Sequence, residues 1–410
     1  SIIKRDGRVV LYDQNKIASA ILKALEASHE GNAADAARVA NDVQRELEGK
    51  FSDQAPNIEA VQDSVEQQLM NHGFNAAAKA YILYRANRTR AREANTVLMK
   101  TIDEITNIDA RISDMKRDNA NIDGNTAMGS MLQIGSAGAK AYNEIYLLRP
   151  EHAKAYREGD IHIHDFDFYS LTTTCCQIDI LKLFHGGFST GHGYLREPNS
   201  IQSYAALAAI AIQSNQNDQH GGQSIPNFDY AMAEGVAKTY RKAFFRRLKD
   251  AVEDYMDLAD EAASVKAIID AAEAETGTFA RLESTPQYVD AVARGLRSTY
   301  GVDPNRAHKL ITRASVRAYK KTERDTYQAM EGFVHNLNTM HSRAGAQTPF
   351  SSINYGTDTT PEGRMVIRNI LLALEAGLGH GETCIFPIHI FKVKEGVNYN
   401  EEDPNYDLFR

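Results

Sequence analysis

The 410-residue sequence has no tryptophan, only three cysteines, and no apolar run long enough to cross a lipid bilayer. Three cysteines cannot form the disulfide framework that stabilises small secreted proteins, and no signal-peptide pattern opens the chain. We therefore expect a protein of the reducing cytoplasm that does not reside in a membrane.

Positive charge is also scarce, since 46 lysines and arginines stand against 54 aspartates and glutamates. Proteins that bind polymeric nucleic acid usually carry a basic domain or stripe, so we expect neither DNA nor RNA as a partner. The sequence has no internal repeat and no GxxxxGK[ST] phosphate-binding loop. The glycine-rich run HGGFSTGHG could cradle a phosphate, but it could equally be an ordinary loop.

The first part of the sequence predicts a small α+β module of about 90 residues. In IIKRDGRVVLYD, two β-prone runs flank Asp6-Gly7, a dipeptide favoured in tight hairpin turns. Asp13 can then cap a helix. Apolar residues recur every four positions in that helix, at Ile17, Ile21 and Leu25. A second helix from about Asn57 stops near Gly73, and a third, rich in alanine and arginine, follows into the nineties.

The remaining sequence predicts an α/β fold. Residues 95–160 are typical of helices with polar connections, and β-prone runs then return in IHIHDFDF, LTTTCCQIDIL, SIPNFDY, PFSSINYG and CIFPIHIFKV. Helical stretches separate these runs, and strands that alternate with helices indicate an α/β sheet or barrel. Residues 232–340 predict long amphipathic helices whose charged faces meet solvent.

Two adjacent cysteines, Cys175 and Cys176, lie in one of the β-prone runs. On a strand their side chains point to opposite faces, so Cys175 shares a polar face with Gln177 and Cys176 an apolar face with Ile178. This pattern favours Cys175 as the chemically active thiol and Cys176 as an inert one, although both could be small core residues. Cys384, in GETCIFPIHIF, is predicted to be a buried structural thiol at the start of a strand.

His162 and His164 would share one face of a strand, which is a spacing that could bind a metal. Two ligands do not make a metal site, so polar lining of a barrel is the favoured interpretation. The run NQNDQHGGQSIP concentrates amide, imidazole and glycine donors before a strand. It could be a loop that presents them to a sugar or base, or an ordinary turn.

Three cations are expected to lie near the start of the first helix, at Lys4, Arg5 and Lys16. Cations near a helix N-terminus make a good polyphosphate site. A surface cluster of salt bridges is the alternative.

Together these motifs resemble those of a known family. KRDGRVVLYDQNKIASAI, IEAVQDSVEQQLMNHG and AKAYILYR resemble the ATP-cone, a regulatory domain that binds ATP or dATP in many ribonucleotide reductases. DNANIDGNTAMGSM, GDIHIHDFDFYSLTTTCCQIDI, GGFSTGHGYLREP, SNQNDQHGGQSIPNFDY, SRAGAQTPFSSINYGTDT and ETCIFPIHIFKVKEGV resemble, in the same order, the anaerobic (class III, glycyl-radical) ribonucleoside-triphosphate reductase. The resemblance covers nearly the whole chain.

The resemblance implies an ATP-cone over residues 1–92, a helical linker over 93–115, and part of a ten-stranded α/β barrel over 116–410. The implied activity is anaerobic reduction of ribonucleoside triphosphates to deoxyribonucleoside triphosphates for DNA replication, activated by ATP and inhibited by dATP. In this family a glycyl radical generates a thiyl radical that takes the 3′ hydrogen of the substrate. A cysteine on the first barrel strand, matched here by Cys175, then helps to reduce the 2′ position, commonly with formate as the reductant.

Other site residues also follow from the resemblance. A substrate loop beside the specificity-effector site is implied at His220, Gly221, Gly222 and Gln223. Contacts to ATP or dATP with Mg²⁺ are implied at Lys4, Arg5, Asp13 and Lys16. His162 and His164 would line the barrel.

The family's thiyl cysteine, radical glycine and zinc-binding cysteines have no match in residues 1–410, and we expect no metal site within them. We therefore expect a truncated piece that cannot turn over alone. The whole enzyme is expected to bind structural Zn²⁺, to form a homodimer or larger homo-oligomer, and to need a radical-SAM activating enzyme. The alternative is a catalytically inactive nucleotide sensor whose cone controls oligomerisation. A formate-lyase type of glycyl-radical enzyme would not need to sense dATP.

Overall fold

The computed structural model describes residues 1–5, 7–52, 54–107, 125–342, 345 and 347–410. The chain divides into two compact units, one of residues 1–103 with 140–162 and one of residues 104–139 with 163–410. The linker predicted over residues 93–115 falls partly outside the described residues, and its limits stay a prediction.

The first unit opens with the predicted hairpin. Strands β1 (Ile2–Ile3) and β2 (Val9–Val10) pair antiparallel. Gly7 closes the turn with φ +82°, a conformation that glycine adopts without strain, and its N–H donates to the carbonyl of Lys4 at 2.9 Å. Asp6, the other residue of the predicted turn, lies outside the described residues.

Four helices follow the hairpin: α1 (Gln14–Ser28), α2 (Ala33–Lys50), α3 (Ile58–Asn71) and α4 (Asn75–Asn107). The predicted cap is confirmed, because the Asp13 side chain accepts from the N–H groups of Asn15 and Lys16. The predicted stripe is confirmed as well, since Ile21 and Leu25 are buried.

Helix α2 was not predicted, yet it supplies much of the core of the first unit. Its buried residues follow helical spacing, at Ala36, Val39, Ala40, Val43 and Leu47. They pack with residues of α1 and α3 in one hydrophobic cluster. Asn32 and Asp35 form a capping box at its start, which is a local signal that helix prediction could have used.

Glu46 connects α2 to α3. Its Oε2 accepts hydrogen bonds from Ser64 Oγ at 2.6 Å and Gln68 Nε2 at 2.8 Å, and its Oε1 pairs with Lys50. Burial disfavours the charged carboxylate, but the hydrogen bonds from Gln68, Lys50 and Ser64 outweigh it. They lower the pKa of Glu46 from 4.5 to about 2.

This carboxylate should make the first unit sensitive to acid. A group whose pKa is lowered by folding stabilises the folded state above its unfolded pKa, and that contribution is lost as the pH falls from 4.5 towards about 2. We expect Glu46→Gln to reduce the loss of stability between pH 7 and pH 3, because glutamine does not titrate. Urea unfolding at both pH values, followed by circular dichroism, measures the difference. Glu48→Gln, at an exposed position of α2, is the matched control, and equal effects of the two changes would contradict the prediction.

Between residues 125 and 162 the described chain is mainly helical, as predicted. It forms α5 (Ala127–Tyr142), a π-helical turn (Asn143–Leu147) and α6 (Pro150–Glu158). The part of the predicted helical region over residues 108–124 lies outside the described residues.

The second unit alternates strands and helices after residue 163. Its strands are β3 (Thr174–Gln177), β4 (Phe188–Ser189), β5 (Tyr194–Leu195), β6 (His220–Ile225), β7 (Ser351–Tyr355) and β8 (Ile388–Phe391). Its helices are α7 (Ile180–Phe184), α8 (Ile201–Asp218), α9 (Phe228–Met256), α10 (Ala262–Thr276), α11 (Pro286–Tyr300), α12 (Pro304–Thr339), α13 (Pro361–Ala376) and α14 (Tyr406–Phe409).

Four of these strands form a parallel sheet in the order β3-β6-β7-β8. Residues of the sheet and of helices α8, α9, α12 and α13 share one core, which includes Ile225, Phe228, Phe333, Ile353 and Ile370. A second core joins α9 to α10, α11 and α12. The α/β prediction is confirmed, as are the long helices between residues 232 and 340.

One predicted strand is wrong. The run IHIHDFDF forms no strand: residues 161–163 are irregular, a turn follows, and Phe166–Phe168 is a single 3-10 turn. Asp165 adopts φ +50°, a left-handed conformation that interrupts an extended run. Within the described ranges, no helix combines the length and apolar character needed to cross a bilayer.

Candidate functional site

Cys175 lies in β3, the first strand of the parallel sheet, and its side chain is exposed. The pairing of β3 with β6 is irregular here, because Thr174 pairs with His220 while Cys176 pairs with Gln223. Cys175 has φ +55°, which is uncommon outside glycine and is a form of strain often stored at functional sites. The regular pairing assumed from the sequence is interrupted at Cys175, because one residue of β3 lies opposite two residues of β6, Gly221 and Gly222.

The HGGQ run is not a loop, which corrects the sequence prediction. His220–Gln223 begins β6, between β3 and β7. Gly221 has φ +87°, and a Cβ there would lie 3.0 Å from Cys175 Sγ and 3.1 Å from Cys175 N. A Cβ on Gly222 would lie 3.0 Å from the ring of Phe350. Glycines therefore let neighbouring groups approach this strand closely.

Beneath the strand, the half-buried amide of Asn215 connects the two sequence motifs. Asn215 of α8 donates from Nδ2 to Gln223 Oε1 at 2.8 Å and to Cys176 Sγ at 3.1 Å. Gln223 is 1% exposed. The Cys176 thiol therefore lies on the helix side of the sheet with a polar neighbour, rather than on the purely apolar face that was predicted.

The other two thiols are less accessible than that of Cys175. Burial raises the pKa of Cys176, and the hydrogen bond from Asn215 offsets this only in part. Burial also raises the pKa of Cys384, which is half-buried and precedes β8 rather than opening it. Both side chains are only partly exposed, whereas that of Cys175 is exposed, so Cys175 is the thiol of the three that a substrate can reach most easily.

A histidine and a carboxylate lie beside Cys175. Asp165 Oδ1 is 3.1 Å from His220 Nε2, and the imidazole of His220 stacks on the ring of Phe168 with centroids 3.8 Å apart. The side chains of Asp165 and His220 are 15% and 11% exposed. Sequence reasoning found His220 but missed Asp165 and Phe168, whose only signal was their place in the DFDF run next to the two histidines.

His162 and His164 do not form the predicted pair. Both are exposed, no strand places them on one face, and the division of the chain assigns them to different units. His164 Nε2 lies 3.6 Å from Asp165 Oδ2. In the described part of the chain, no three His, Cys, Asp or Glu side chains are grouped to hold a metal ion.

The cations predicted in the first unit make different contacts from one another. Arg5 pairs with Glu59 and donates from Nη2 to Gln62 Oε1 at 2.9 Å, both on α3. Arg85 of α4 pairs with the same Glu59, and the hydrogen bonds from Arg5 and Arg85 lower the pKa of that carboxyl. This ion-pair cluster joins the hairpin to α3 and α4.

Lys16 and Lys4 remain more available to a ligand. The side chain of Lys16 is 83% exposed, with Asp13 Oδ2 3.4 Å from its Nζ, and Lys4 is exposed as well. A separate cavity of about 580 Å³ opens beside Tyr12, Glu48 and Pro56. The predicted cations do not line it. Asp13 is occupied as the cap of α1 through its Oδ1.

The HGGFSTGHG run forms an ordinary hairpin, β4 with β5. Only glycine fits at position 187, because a Cβ there would lie 2.3 Å from the carbonyl oxygen of Leu195. The N–H of Gly186 already donates to the carboxylate of Glu197 at 3.0 Å. Of the two alternatives for this run, the loop agrees with the structure better than the phosphate cradle.

Comparison with known proteins shows to which family this chain belongs. The sequence model described as "Anaerobic ribonucleoside-triphosphate reductase" matches residues 118–410, which include the whole parallel sheet. The chain belongs to this family. The ATP cone domain model matches residues 1–90, which include the hairpin and helices α1 to α3. Membership of the family, expected from the motifs, is confirmed.

Relatives named "Anaerobic ribonucleoside-triphosphate reductase" support the assignment. Those of Salmonella typhimurium and Escherichia coli are 27% and 26% identical, each over 99% of this chain and 48% of the relative. That of Enterobacteria phage T4 is 29% identical over 62% of this chain and 33% of the relative. The chain thus spans about half the length of the bacterial relatives.

Proposed function

We propose that this chain forms the nucleotide-sensing module and part of the catalytic barrel of an enzyme that reduces ribonucleoside triphosphates to deoxyribonucleoside triphosphates without oxygen. The observation that carries the proposal is Cys175, an exposed thiol on the first strand of the sheet that the reductase family model covers, at the point where the pairing with β6 shifts register. Such irregularities are over-represented next to active sites, where they direct a side chain.

The residues of this chain would have distinct tasks in that reaction. A glycyl radical on a residue outside positions 1–410 would supply the one-electron chemistry. Cys175 would hold a thiol hydrogen close to the substrate ribose and help to reduce its 2′ carbon, with formate as the external reductant. Gly221 and Gly222 would let Cys175 and Phe350 approach β6, and Gln223 with Asn215 would fix the strand beneath them.

This function can be tested with the complete protein. Under anaerobic conditions, after radical activation, it should convert a ribonucleoside triphosphate to the deoxy product with formate present, as measured by chromatography of the nucleotides. Replacing formate by a dithiol should lower the yield. Absence of any deoxyribonucleotide with either reductant would refute the proposal.

Several partners follow from the same proposal. We expect a cytoplasmic homodimer or larger oligomer, a radical-SAM activating enzyme, and a structural Zn²⁺ site outside residues 1–410. The first unit would bind ATP as activator and dATP as inhibitor, each with Mg²⁺.

Nucleotide binding should depend on the exposed cations of the first unit. We expect the double change Lys4→Ala and Lys16→Ala to weaken binding of Mg-dATP roughly tenfold or more, because each lost contact between a cation and a phosphate is worth about 1 kcal/mol or more. Isothermal titration calorimetry measures the affinity. Lys309→Ala, an exposed lysine of α12, is the control, and equal affinities of both variants would contradict the assignment.

Arg5 should behave differently from the lysines, because it already binds Glu59 and Gln62. Arg5→Ala would remove a phosphate contact only if the Arg5 side chain leaves Glu59 when nucleotide binds. Arg5→Ala and Glu59→Gln both remove the ion pair, but only Arg5→Ala removes a phosphate contact. A lower affinity in Arg5→Ala than in Glu59→Gln, measured in the same titration, would therefore indicate that Arg5 binds phosphate.

A further inference from the structure

Helix α12 carries a row of basic side chains, which we call the basic stripe. It consists of four exposed residues at successive spacings of four, three and four, namely Arg313, Arg317, Lys320 and Arg324. At 3.6 residues per turn these spacings place them within about 60° of one another around the helix, along about 16 Å of its length. Residues 313–324 contain five lysines and arginines but only one acidic residue, in a chain with a net charge of −8.

The basic stripe has a fixed orientation, because another face of the same helix is buried. Ala314, Ala318 and Thr322 are each 0% exposed. Ala314 and Ala318 belong to the core that joins α12 to α9, α10 and α11. The helix therefore cannot turn its cations elsewhere without breaking that core, and the stripe is a rigid feature of the surface.

The cations of the stripe differ from their neighbours in having no acidic partner. None of the four forms an ion pair or a hydrogen bond through its side chain with any residue that the structure describes. By contrast, Lys321 of the same helix pairs with Asp325, and Lys266 of α10 pairs with Asp270. Like charges three or four residues apart destabilise a helix. The fold gains no stability from the stripe, so its charges are free for a partner.

The shape of the stripe favours a helix with acidic side chains as that partner. Alternating spacings of four and three residues recur along the flanks of paired helices, where opposite charges face each other. Val316, beside the stripe, is 51% exposed and offers an apolar contact next to the charges. A helix that lies on a membrane presents a broad face of bulky apolar residues instead. A long nucleic acid would be repelled by a chain with a net charge of −8.

We propose that the basic stripe is a docking site for an acidic helix of a partner protein. The carboxylates of that helix would face the four cations in register. Arg313, Val316, Arg317 and Lys320 help to line a depression of about 560 Å³, which gives the side chains of the partner room. The proposal is independent of the reductase function, because it involves neither Cys175 nor the nucleotide contacts of the first unit.

Two peptides of the same composition test the proposal on the complete protein. One is an alanine-rich peptide of about 20 residues, long enough to form a helix in water, with glutamates at alternating spacings of four and three. The other has the same residues in scrambled order. Fluorescence anisotropy of the labelled peptides measures binding at low salt. We expect the regular peptide to bind about threefold more tightly, and Arg313→Gln with Arg317→Gln to weaken its binding about fivefold, because exposed ion pairs are individually weak.

A double variant with the same loss of charge is the control. Lys266→Gln with Arg294→Gln removes two exposed cations that already pair with Asp270 and Glu275, and it should leave peptide binding unchanged. Equal loss of affinity in both double variants, or no loss in the stripe variant, overturns the proposal. A melting temperature of the stripe variant below that of the control also overturns it, because the charges would then serve the fold.

Other occupants of the stripe would give different results. Binding of a single-stranded oligonucleotide or of vesicles containing phosphatidylserine that is tighter than peptide binding, and that is lost in the stripe variant, would assign the stripe to nucleic acid or to a membrane. A sedimentation coefficient that differs between the unaltered protein and the stripe variant would assign it to a contact between two copies of the chain. Each of these results overturns the proposal. None of the measurements requires turnover, so the reductase function can fail separately.

Discussion

We expect Cys175→Ala in the complete protein to abolish formation of deoxyribonucleotides, with activity falling by roughly a thousandfold or more, as when a chemically essential side chain is lost. Alanine has no thiol hydrogen, and it fills the same exposed place on β3 with little change in packing. Binding of ATP and dATP should be unchanged, because the nucleotide contacts proposed for the first unit are far from β3 in sequence. Nucleotide product assays and calorimetric titrations of the same preparation measure both quantities.

Cys384→Ala provides the matched control for this experiment. Cys384 is half-buried and precedes β8 rather than lying on β3, so we expect its loss to leave reduction nearly intact. Retained reduction in Cys175→Ala would remove Cys175 from the chemistry. If the complete protein reduces nothing but changes its oligomeric state with dATP, the alternative of a nucleotide sensor is favoured instead.

The sequence predicted the local features of the first unit well, because they depend on spacing within one element. The cap at Asp13, the stripe through Ile21 and Leu25, and the turn at Gly7 all follow from residues close together in sequence. Helix α2 escaped prediction because its buried face is built partly from alanines, which contribute little to a hydrophobic pattern. Its buried valines and its capping box would nevertheless have indicated a helix.

The prediction failed where distant residues meet. Alternation along a strand selected Cys175 as the thiol on the polar face, and its exposure agrees, but no local pattern reveals the shift in register with β6 beside it. The bond between Asp165 and His220 joins residues 55 positions apart, so Asp165 had no visible role in the sequence. The HGGQ run was taken for a loop because amide, imidazole and glycine donors are concentrated around it, whereas here it begins β6 and its glycines admit Cys175 and Phe350.

Asp229 is a second residue without a signal in the sequence, and it should matter most for stability. It is fully buried in the first turn of α9. Its Oδ2 accepts hydrogen bonds from the backbone N–H groups of Gly356, Thr357 and Asp358 at 2.9, 3.0 and 3.0 Å. These residues follow β7, so one carboxylate fixes the chain where it leaves the sheet. Burial, with a smaller contribution from the charge of Asp229, raises the pKa of Asp358.

We expect Asp229→Ala to lower the free energy of unfolding of the second unit by about 3–5 kcal/mol, because three buried donors lose their partner and each unsatisfied donor costs about 1–3 kcal/mol before the loop relaxes. Asp229→Asn should cost less, since an amide oxygen can still accept hydrogen bonds from the same donors. Urea unfolding followed by circular dichroism is suitable, as the chain has no tryptophan for fluorescence. Asp250→Ala removes a half-exposed aspartate from the same helix and should change stability by no more than about 0.5 kcal/mol.

If Asp229→Ala costs no more than Asp250→Ala, the backbone after β7 is held by other contacts. The buried amides of Asn398 and Asn405, which donate to the carbonyl of Gly356, would then be the residues that anchor it.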